Sequence, residues 1–287
     1  MTSELWVCNL GQIDYRSALE LQEQMRAARQ QELIPDTLLL LEHPRVYTRG
    51  RRSEPGELTM GEAFYAAQGI EIIETKRGGK VTYHGPGQLV GYPIVRVDDV
   101  VGYVRTLELA LVAALREEGI FARARPEDGP DYTGVWVDER KIASIGVHVA
   151  KGVTTHGFAV NVDNDLTPFT WVVACGLPSV TMTSIAQERG LGAAGCVDPV
   201  TPAFVAPSGR ALADPIGAGP AGPGAASISC FRKRAAFALA QALGHRQRLV
   251  SRARLEGYAA QATSDALADA AAAARSVEVS RAGSSLN

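Results

Sequence analysis

Cys175 closes an apolar run, Val172-Val173-Ala174, and is followed by Gly176-Leu177-Pro178. A cysteine in such a place is either a small buried hydrophobe or a nucleophile. Gly176 would let a substrate come close. An ordinary thiol, pKa about 8.5, is only slightly ionised at neutral pH, so a nucleophile needs a base or cation beside it. Lys141 is the leading partner, with His84 and His156 as the others; spacing along the chain does not choose between them. Strand periodicity puts Lys141, Ala143, Ile145, Val147 and Val149 on one face, otherwise apolar. If that face is buried, the Lys141 ammonium is poorly solvated and becomes a proton acceptor. The alternative is a lysine reaching past the strand end to water.

A second cluster could hold what such a nucleophile attacks. Residues 77 to 93 read Arg77-Gly78-Gly79-Lys80-Val81-Thr82-Tyr83-His84-Gly85-Pro86-Gly87-Gln88-Leu89-Val90-Gly91-Tyr92-Pro93. Glycine lets another backbone approach and proline fixes the turn, while Thr82, Tyr83, His84 and Gln88 can hydrogen-bond. The β-like run Ile70 to Thr75 enters this loop and Leu89 to Val95 leaves it, the layout of a binding loop on a rigid sheet; a ligand-free hairpin is the alternative. Thr154 to Val162 repeats a His-Gly pair at His156-Gly157. Gly157 and Gly146 on adjacent strands either open a groove or permit tight packing. His43, before Pro44, either lines a site or sits in a turn or core.

The positioning elements follow from periodicity. Leu5 to Cys8 reads as a strand. Tyr15 to Glu32 reads as a helix with Leu21, Met25 and Ala28 on one face. Thr37 to Glu42 suits a buried strand, and Thr59 to Gln68 a short helix closed by Gly69. Asp98 or Asp99 caps a helix running to Glu118, with Val104, Leu107, Leu111 and Leu115 as its core stripe and Gly119 as its stop. Gly134 to Val137, Lys141 to Val149 and Thr154 to Val162 are strands joined by turns at Asp138 to Arg140 and Lys151-Gly152. Hairpins mixed with helices predict an α+β fold with a mixed, largely antiparallel sheet and packed helices. The domain spans 1–190. Residues 191–227, rich in Gly, Ala and Pro, are expected to be flexible. Residues 228–245 form a helix that packs back through Phe231, Ala235, Phe237 and Leu243. Residues 246–287 read as a frayed helical or disordered tail.

Composition excludes several classes. With 46% hydrophobic and 21% charged residues the chain reads as soluble, and a net charge of −2 argues against a broad nucleic-acid surface. No apolar run reaches membrane-span length, and Met1 to Leu5 shows no basic-then-apolar leader. Cys8, Cys175, Cys196 and Cys230 are too scattered for a disulfide framework or a zinc site. Reduced thiols in the cytoplasm are the expectation, with no metal.

Three blocks carry a resemblance: Arg77 to Leu89; Arg140-Lys141-Ile142-Ala143-Ser144-Ile145-Gly146-Val147; and Thr155 to Val162 running on to Ala174-Cys175-Gly176. Leu39 to Thr48 also fits. The chain resembles the lipoyl(octanoyl) transferases of the biotin/lipoate protein ligase superfamily. The resemblance covers about residues 5 to 190 and the helix near Ile228 to Gly244. It implies a ligase-like fold related to class II aminoacyl-tRNA synthetases. It also implies transfer of octanoyl from octanoyl-acyl carrier protein to a lipoyl-domain lysine. The acceptors would be lipoyl domains of 2-oxoacid dehydrogenase complexes and the glycine cleavage H protein. By position, Cys175 would hold the acyl thioester, and Lys141 would lower its pKa and shuttle protons. Arg77, Gly78, Gly79, Lys80, Val81, Thr82, Tyr83, His84, Ser144, Ile145, Gly146, Gly157, Phe158 and Ala159 would line the acyl site. No cofactor is expected, the octanoyl-phosphopantetheine arriving as substrate, and a monomer suffices. Backbone N–H groups around Gly78, Gly79 or Gly176 are candidates for an oxyanion site. Lys80 and His148 depart from the pattern, which often has Gln, Asp or Glu at the first position and Arg at the second. The rival activities are an ATP-dependent lipoate or biotin ligase, a carrier-protein binding module and a Cys/His thioester hydrolase.

Overall fold

Alternation along the strands creates a sheet that buries apolar side chains on both faces. The computed structural model describes residues 3–177, 180–190, 227–262 and 264. In chain order the elements are β1 (Glu4–Gln12), α1 (Tyr15–Gln30), β2 (Asp36–Glu42), β3 (Val46–Arg49), α2 (Glu62–Ala67), β4 (Glu71–Glu74), β5 (Thr82–His84), β6 (Gln88–Ile94), α3 (Val100–Arg116), β7 (Gly134–Val137), β8 (Arg140–Ala150), β9 (Val153–Asn161), β10 (Thr181–Met182), α4 (Ile185–Gly190), α5 (Ile228–Ala242) and β11 (Arg246–Leu249). The main sheet runs β10-β8-β9-β6-β2-β1-β11, with β7 also on β8. Its centre is antiparallel, while β1–β2, β1–β11 and β8–β10 are parallel. The fold is α+β with a mixed sheet, as the hairpin pattern predicts.

One face carries Leu5, Val7, Leu38, Leu40, Leu89 and Val160 under α3 and α5. The other carries Trp6, Cys8, Leu39, Leu41, Val90 and Ile94 under α1. Asp14 caps α1 by accepting the Ser17 N–H at 2.9 Å, and Asp99 caps α3 by accepting from Val101 and Gly102. A smaller sheet, β4-β3-β5, stands beside the main one around Tyr47, Tyr65 and Tyr83.

Four expectations change. The glycine-rich stretch is not one loop: its middle, Thr82–His84, is a buried strand paired antiparallel with β3. Phe237 is 60% exposed, because 231, 235 and 239 form the buried stripe of α5 and 237 points elsewhere. Val104 borders a cavity with Val100 and Val101 instead of joining the core stripe of Leu107, Leu111 and Leu115. The chain after residue 245 is not a tail throughout. Arg246–Leu249 pairs in parallel with β1, and helical residues 252–262 bury Leu255, Ala259 and Ala262 against the Trp6 face. An alanine helix needs little apolar surface of its own when Trp6 supplies it. Residues 191–226 and 265–287, like Cys196, lie outside the described residues.

Candidate active site

A break in strand pairing decides where Lys141 points. Val135 pairs with Ala143 and Trp136 with Lys141, so Ile142 is an extra residue in β8. Ile142 and Ala143 consequently both face the α3–α5 core. Lys141 is turned to the opposite face, with Ser144, and does not share the apolar face that simple alternation assigns it. Nor does it reach for water: it is 2% exposed. Its Nζ lies 3.3 Å from Cys175 Sγ and 5.1 Å from the centre of the Trp136 ring. Ser144 Oγ approaches the same sulfur at 3.9 Å.

Cys175 sits in the single turn Ala174–Gly176 with φ 57° and ψ 13°, a left-handed conformation that a β-carbon disfavours. The surroundings hold it there. Its N–H donates to the Val81 carbonyl at 3.0 Å, the Val173 N–H donates to the Glu57 carbonyl, and the Val81 N–H donates to the Glu57 carboxylate. Gly176 is also left-handed, at φ 72°, and a β-carbon there would overlap the Lys80 side chain. Lys80 thus lies across the turn, with its Nζ 2.9 Å from Glu54 and 3.6 Å from Glu57.

The pair opens into a cavity of about 770 Å³. All the residues expected at the site border it except Val81 and Tyr83, which are buried in the small sheet. Gly146 and Gly157 face each other across β8 and β9. Both readings of this pair hold, since each borders the cavity and a β-carbon on either would press on a neighbouring carbonyl, Gly78 or Gly91. The oxyanion candidates narrow. The Gly78 N–H is spent on the Val147 carbonyl (2.9 Å) and the Gly176 N–H on the Val173 carbonyl (3.2 Å), which leaves Gly79.

His84 and His156 also border the cavity, but their rings bond elsewhere: His84 Nδ1 to Gln88 at 2.7 Å, His156 Nδ1 to Tyr15 at 3.4 Å. Burial pushes His84 well below the usual imidazole range, and lowers His43 to about 4 and His156 to about 3. These rings are neutral at pH 7. Arg77 is buried, and the Glu57 carboxylate acts on its charge. Its guanidinium donates to Thr48 and to the Gly78 carbonyl. Among the described residues no group of three or more His, Cys, Asp or Glu is arranged to hold a metal.

A profile of the lipoyl protein ligase A/B catalytic domain matches residues 14–205. The chain belongs to this family. It is 50% identical over 192 residues to an octanoyltransferase of Solibacter usitatus, covering 65% of this chain and 86% of that protein. It is 46% identical over 201 residues to an octanoyltransferase of Mycobacterium ulcerans, covering 66% and 81%. The fold also matches lipoate-protein ligase A bound with ATP, with a TM-score of 0.61, 18% identity and coverage of 91% and 94%. A bipartite lipoate protein ligase of Thermoplasma acidophilum gives a TM-score of 0.58, 17% identity and coverage of 91% of both chains.

Within this lipoyl ligase A/B domain, sequence reasoning missed Tyr15, Tyr92 and Glu108, which also border the cavity. Glu108 is 4% exposed and accepts the Gly134 N–H at 3.0 Å. Its signal was a carboxylate set between Leu107 and Leu111 on the apolar stripe of α3. The tyrosines had no signal in the chain, because their partners are distant in sequence. No helix among the described residues is long and apolar enough to cross a membrane.

Proposed function

We propose that the protein is an octanoyltransferase. It moves octanoyl from acyl carrier protein to the ε-amine of a lipoyl-domain lysine through a thioester on Cys175. The observation that carries this is the contact of the buried Lys141, through Nζ, with Cys175 Sγ at 3.3 Å, at the wall of the cavity. The octanoyltransferase relatives support the transferred group.

In the first half-reaction Lys141 takes the Cys175 thiol proton. The thiolate forms a bond to the thioester carbonyl carbon, and the carbonyl π electrons move to oxygen. Collapse of that oxyanion breaks the bond to the phosphopantetheine sulfur, which leaves with the proton from Lys141. In the second half-reaction the neutral lysine amine of the lipoyl domain attacks the Cys175 thioester. Cys175 leaves as thiolate, and the proton lost by the new amide nitrogen passes through Lys141 back to sulfur. One thioester is exchanged for another, so no ATP is consumed and no cofactor is needed. The acyl-phosphopantetheine is substrate. Lipoyl domains of 2-oxoacid dehydrogenase complexes and the glycine cleavage H protein are the acceptors in this reading, and a monomer carries both half-reactions. Cys8, Cys175 and Cys230 are free, as suits the reducing cytoplasm, the compartment proposed here.

Intact-protein mass spectrometry with octanoyl-acyl carrier protein and no ATP tests the proposal. An octanoyl adduct on the wild type is expected, absent in Cys175→Ser and discharged by added lipoyl domain. Modification of the lipoyl domain that requires octanoate and ATP would refute it in favour of an adenylating ligase.

A further inference from the structure

The nucleophile of the second half-reaction is a lysine side chain, and at pH 7 only about one lysine in 10³ is neutral. It therefore reaches the cavity as an ammonium. A charge leaves water at low cost only where a counter-charge or acceptors receive it. Among the described residues, Glu108 and Asp131 are the carboxylates that border the cavity. Asp131 is 43% exposed and paired with Arg52 at 3.1 Å. Glu108 is buried.

Glu108 stands on α3 one turn after Val104 and two turns after Val100 and Val101, which border the same cavity. Val101 is exposed, so these valines offer apolar surface to the methylenes of an entering lysine while its charged end moves inward. The two carboxylate oxygens are held differently. Oε1 accepts the Gly134 N–H at 3.0 Å, a buried backbone bond. Oε2 accepts from Arg105 Nη1 at 3.2 Å, and the Arg105 side chain is 42% exposed. A half-exposed ion pair of this kind adds little to the fold, and an arriving cation can displace it.

Gly134 ties this carboxylate to the reacting pair. It opens β7 with φ 138° and pairs with Ser144, whose Oγ lies 3.9 Å from Cys175 Sγ. A β-carbon on Gly134 would stand 2.8 Å from Lys141 Cε and 3.4 Å from its Nζ. Glu108 Oε1 therefore lies within about 9 Å of the Lys141 amine.

We propose that Glu108 receives the ammonium of the acceptor lysine, which makes it a specificity residue for the second half-reaction. This rests on the reading of Cys175 as the acyl-carrying residue. Lys141 is neutral at that stage, having given its proton to the departing pantetheine sulfur, and it takes a proton from the ammonium that Glu108 holds. The freed amine then attacks the Cys175 thioester. Of the two protons that the acceptor nitrogen loses between ammonium and amide, one restores the Cys175 thiol and the other leaves Lys141 for water.

Glu108→Gln keeps an acceptor for the Gly134 N–H and removes the charge. Octanoyl-Cys175 enzyme is prepared with octanoyl-acyl carrier protein, and its discharge at pH 7.5 is followed by intact-mass measurement. The nucleophile is either a limiting concentration of lipoyl domain or hydroxylamine, which arrives uncharged. Discharge by the lipoyl domain should fall about tenfold or more relative to discharge by hydroxylamine. An equal fall for both nucleophiles, as looser packing around Gly134 and Lys141 would give, or no fall, would overturn the proposal. If the variant does not fold, competition decides. A lipoyl domain with arginine at the acceptor position should inhibit discharge about tenfold better than one with methionine, both in the wild type and in Asp131→Asn. Equal inhibition, or an advantage lost in Asp131→Asn, would overturn the assignment to Glu108. If octanoyl reaches a lipoyl domain with no adduct on Cys175, the covalent reading fails, and the same competition measured in overall transfer still judges Glu108.

Discussion

Lowering the pH from 7.5 to 5.5 should cost this protein about 3 kcal/mol of stability or more, before any carboxylate matters. His43, His84 and His156 are each at most 6% exposed, and burial depresses all three: to about 4, well below the ordinary 6.5, and to about 3. Their neutral forms are bonded into the Ile13–Tyr92–Tyr15 and Gln88 networks. In the unfolded chain each takes a proton near pH 6.5, while in the folded chain His43 and His156 stay neutral to about pH 4 and 3, and His84 to well below 6.5. Between those limits the unfolded state binds more protons, so stability is full above about 6.5 and falls with pH. At pH 5.5 His43 and His156 each contribute a loss of about 1.4 kcal/mol, about 3 kcal/mol together, and His84 adds to it in the same direction. That is a large part of the 5–15 kcal/mol typical of a domain. Lowered carboxylates such as Asp14, Asp165 and Glu188 start from ordinary values of 3.8 to 4.5, so their losses come at lower pH and leave this window clear. Urea unfolding followed by tryptophan fluorescence at half-unit pH steps measures the slope. A free energy that changes by less than about 1 kcal/mol between pH 7.5 and 5.5 would refute the neutral histidine cluster.

Three further outcomes are expected. Lys141→Met keeps the buried stem but removes the amine, and should slow octanoyl adduct formation on Cys175 by about 10²- to 10⁴-fold in single-turnover mass spectrometry. Glu118, whose side chain is 2% exposed, pairs with both Arg189 of α4 and Arg234 of α5. Glu118→Gln removes the charge that both arginines share and should cost about 1–3 kcal/mol in urea unfolding. Ending the chain after Gly244 removes β11 and the buried Leu255, Ala259 and Ala262. The same assay should show a loss of about 3 kcal/mol or more, whereas a tail with no packed contacts would change it little.

Strand alternation and helix caps made most of the architecture legible, because each needs only neighbours in sequence. Asp99 with Gly119 brackets α3, and the Asp138 and Lys151-Gly152 turns bracket β8. What was illegible depends on partners far away. Tyr15 meets His156 across 141 residues, and helical residues 252–262 pack on the sheet face that carries Trp6, some 250 residues earlier. The pairing of Lys141 with Cys175 was suggested by residue type and by the family resemblance. The periodicity argument offered for it placed Lys141 on the wrong face, since an extra residue at Ile142 leaves no mark in the hydrophobic pattern.

The breaks in regular geometry gather where the chemistry is proposed. Five non-glycine residues have positive φ among those described: Glu32, Asp138, Lys151, His156 and Cys175. The first three follow α1 or sit in the two hairpin turns flanking β8, where a left-handed residue ends an element cheaply. His156 and Cys175 have no such excuse. His156 is buried inside β9, held by a bond from its N–H to Gln22 at 2.6 Å, and Cys175 is held by Val81. Both border the cavity, and the extra residue in β8 turns the third member, Lys141, toward the same space. Strain of this kind costs about 1–3 kcal/mol per residue and persists only where the surroundings over-determine it. Its concentration around one cavity, at the proposed nucleophile and at His156, marks that cavity as a preorganised site.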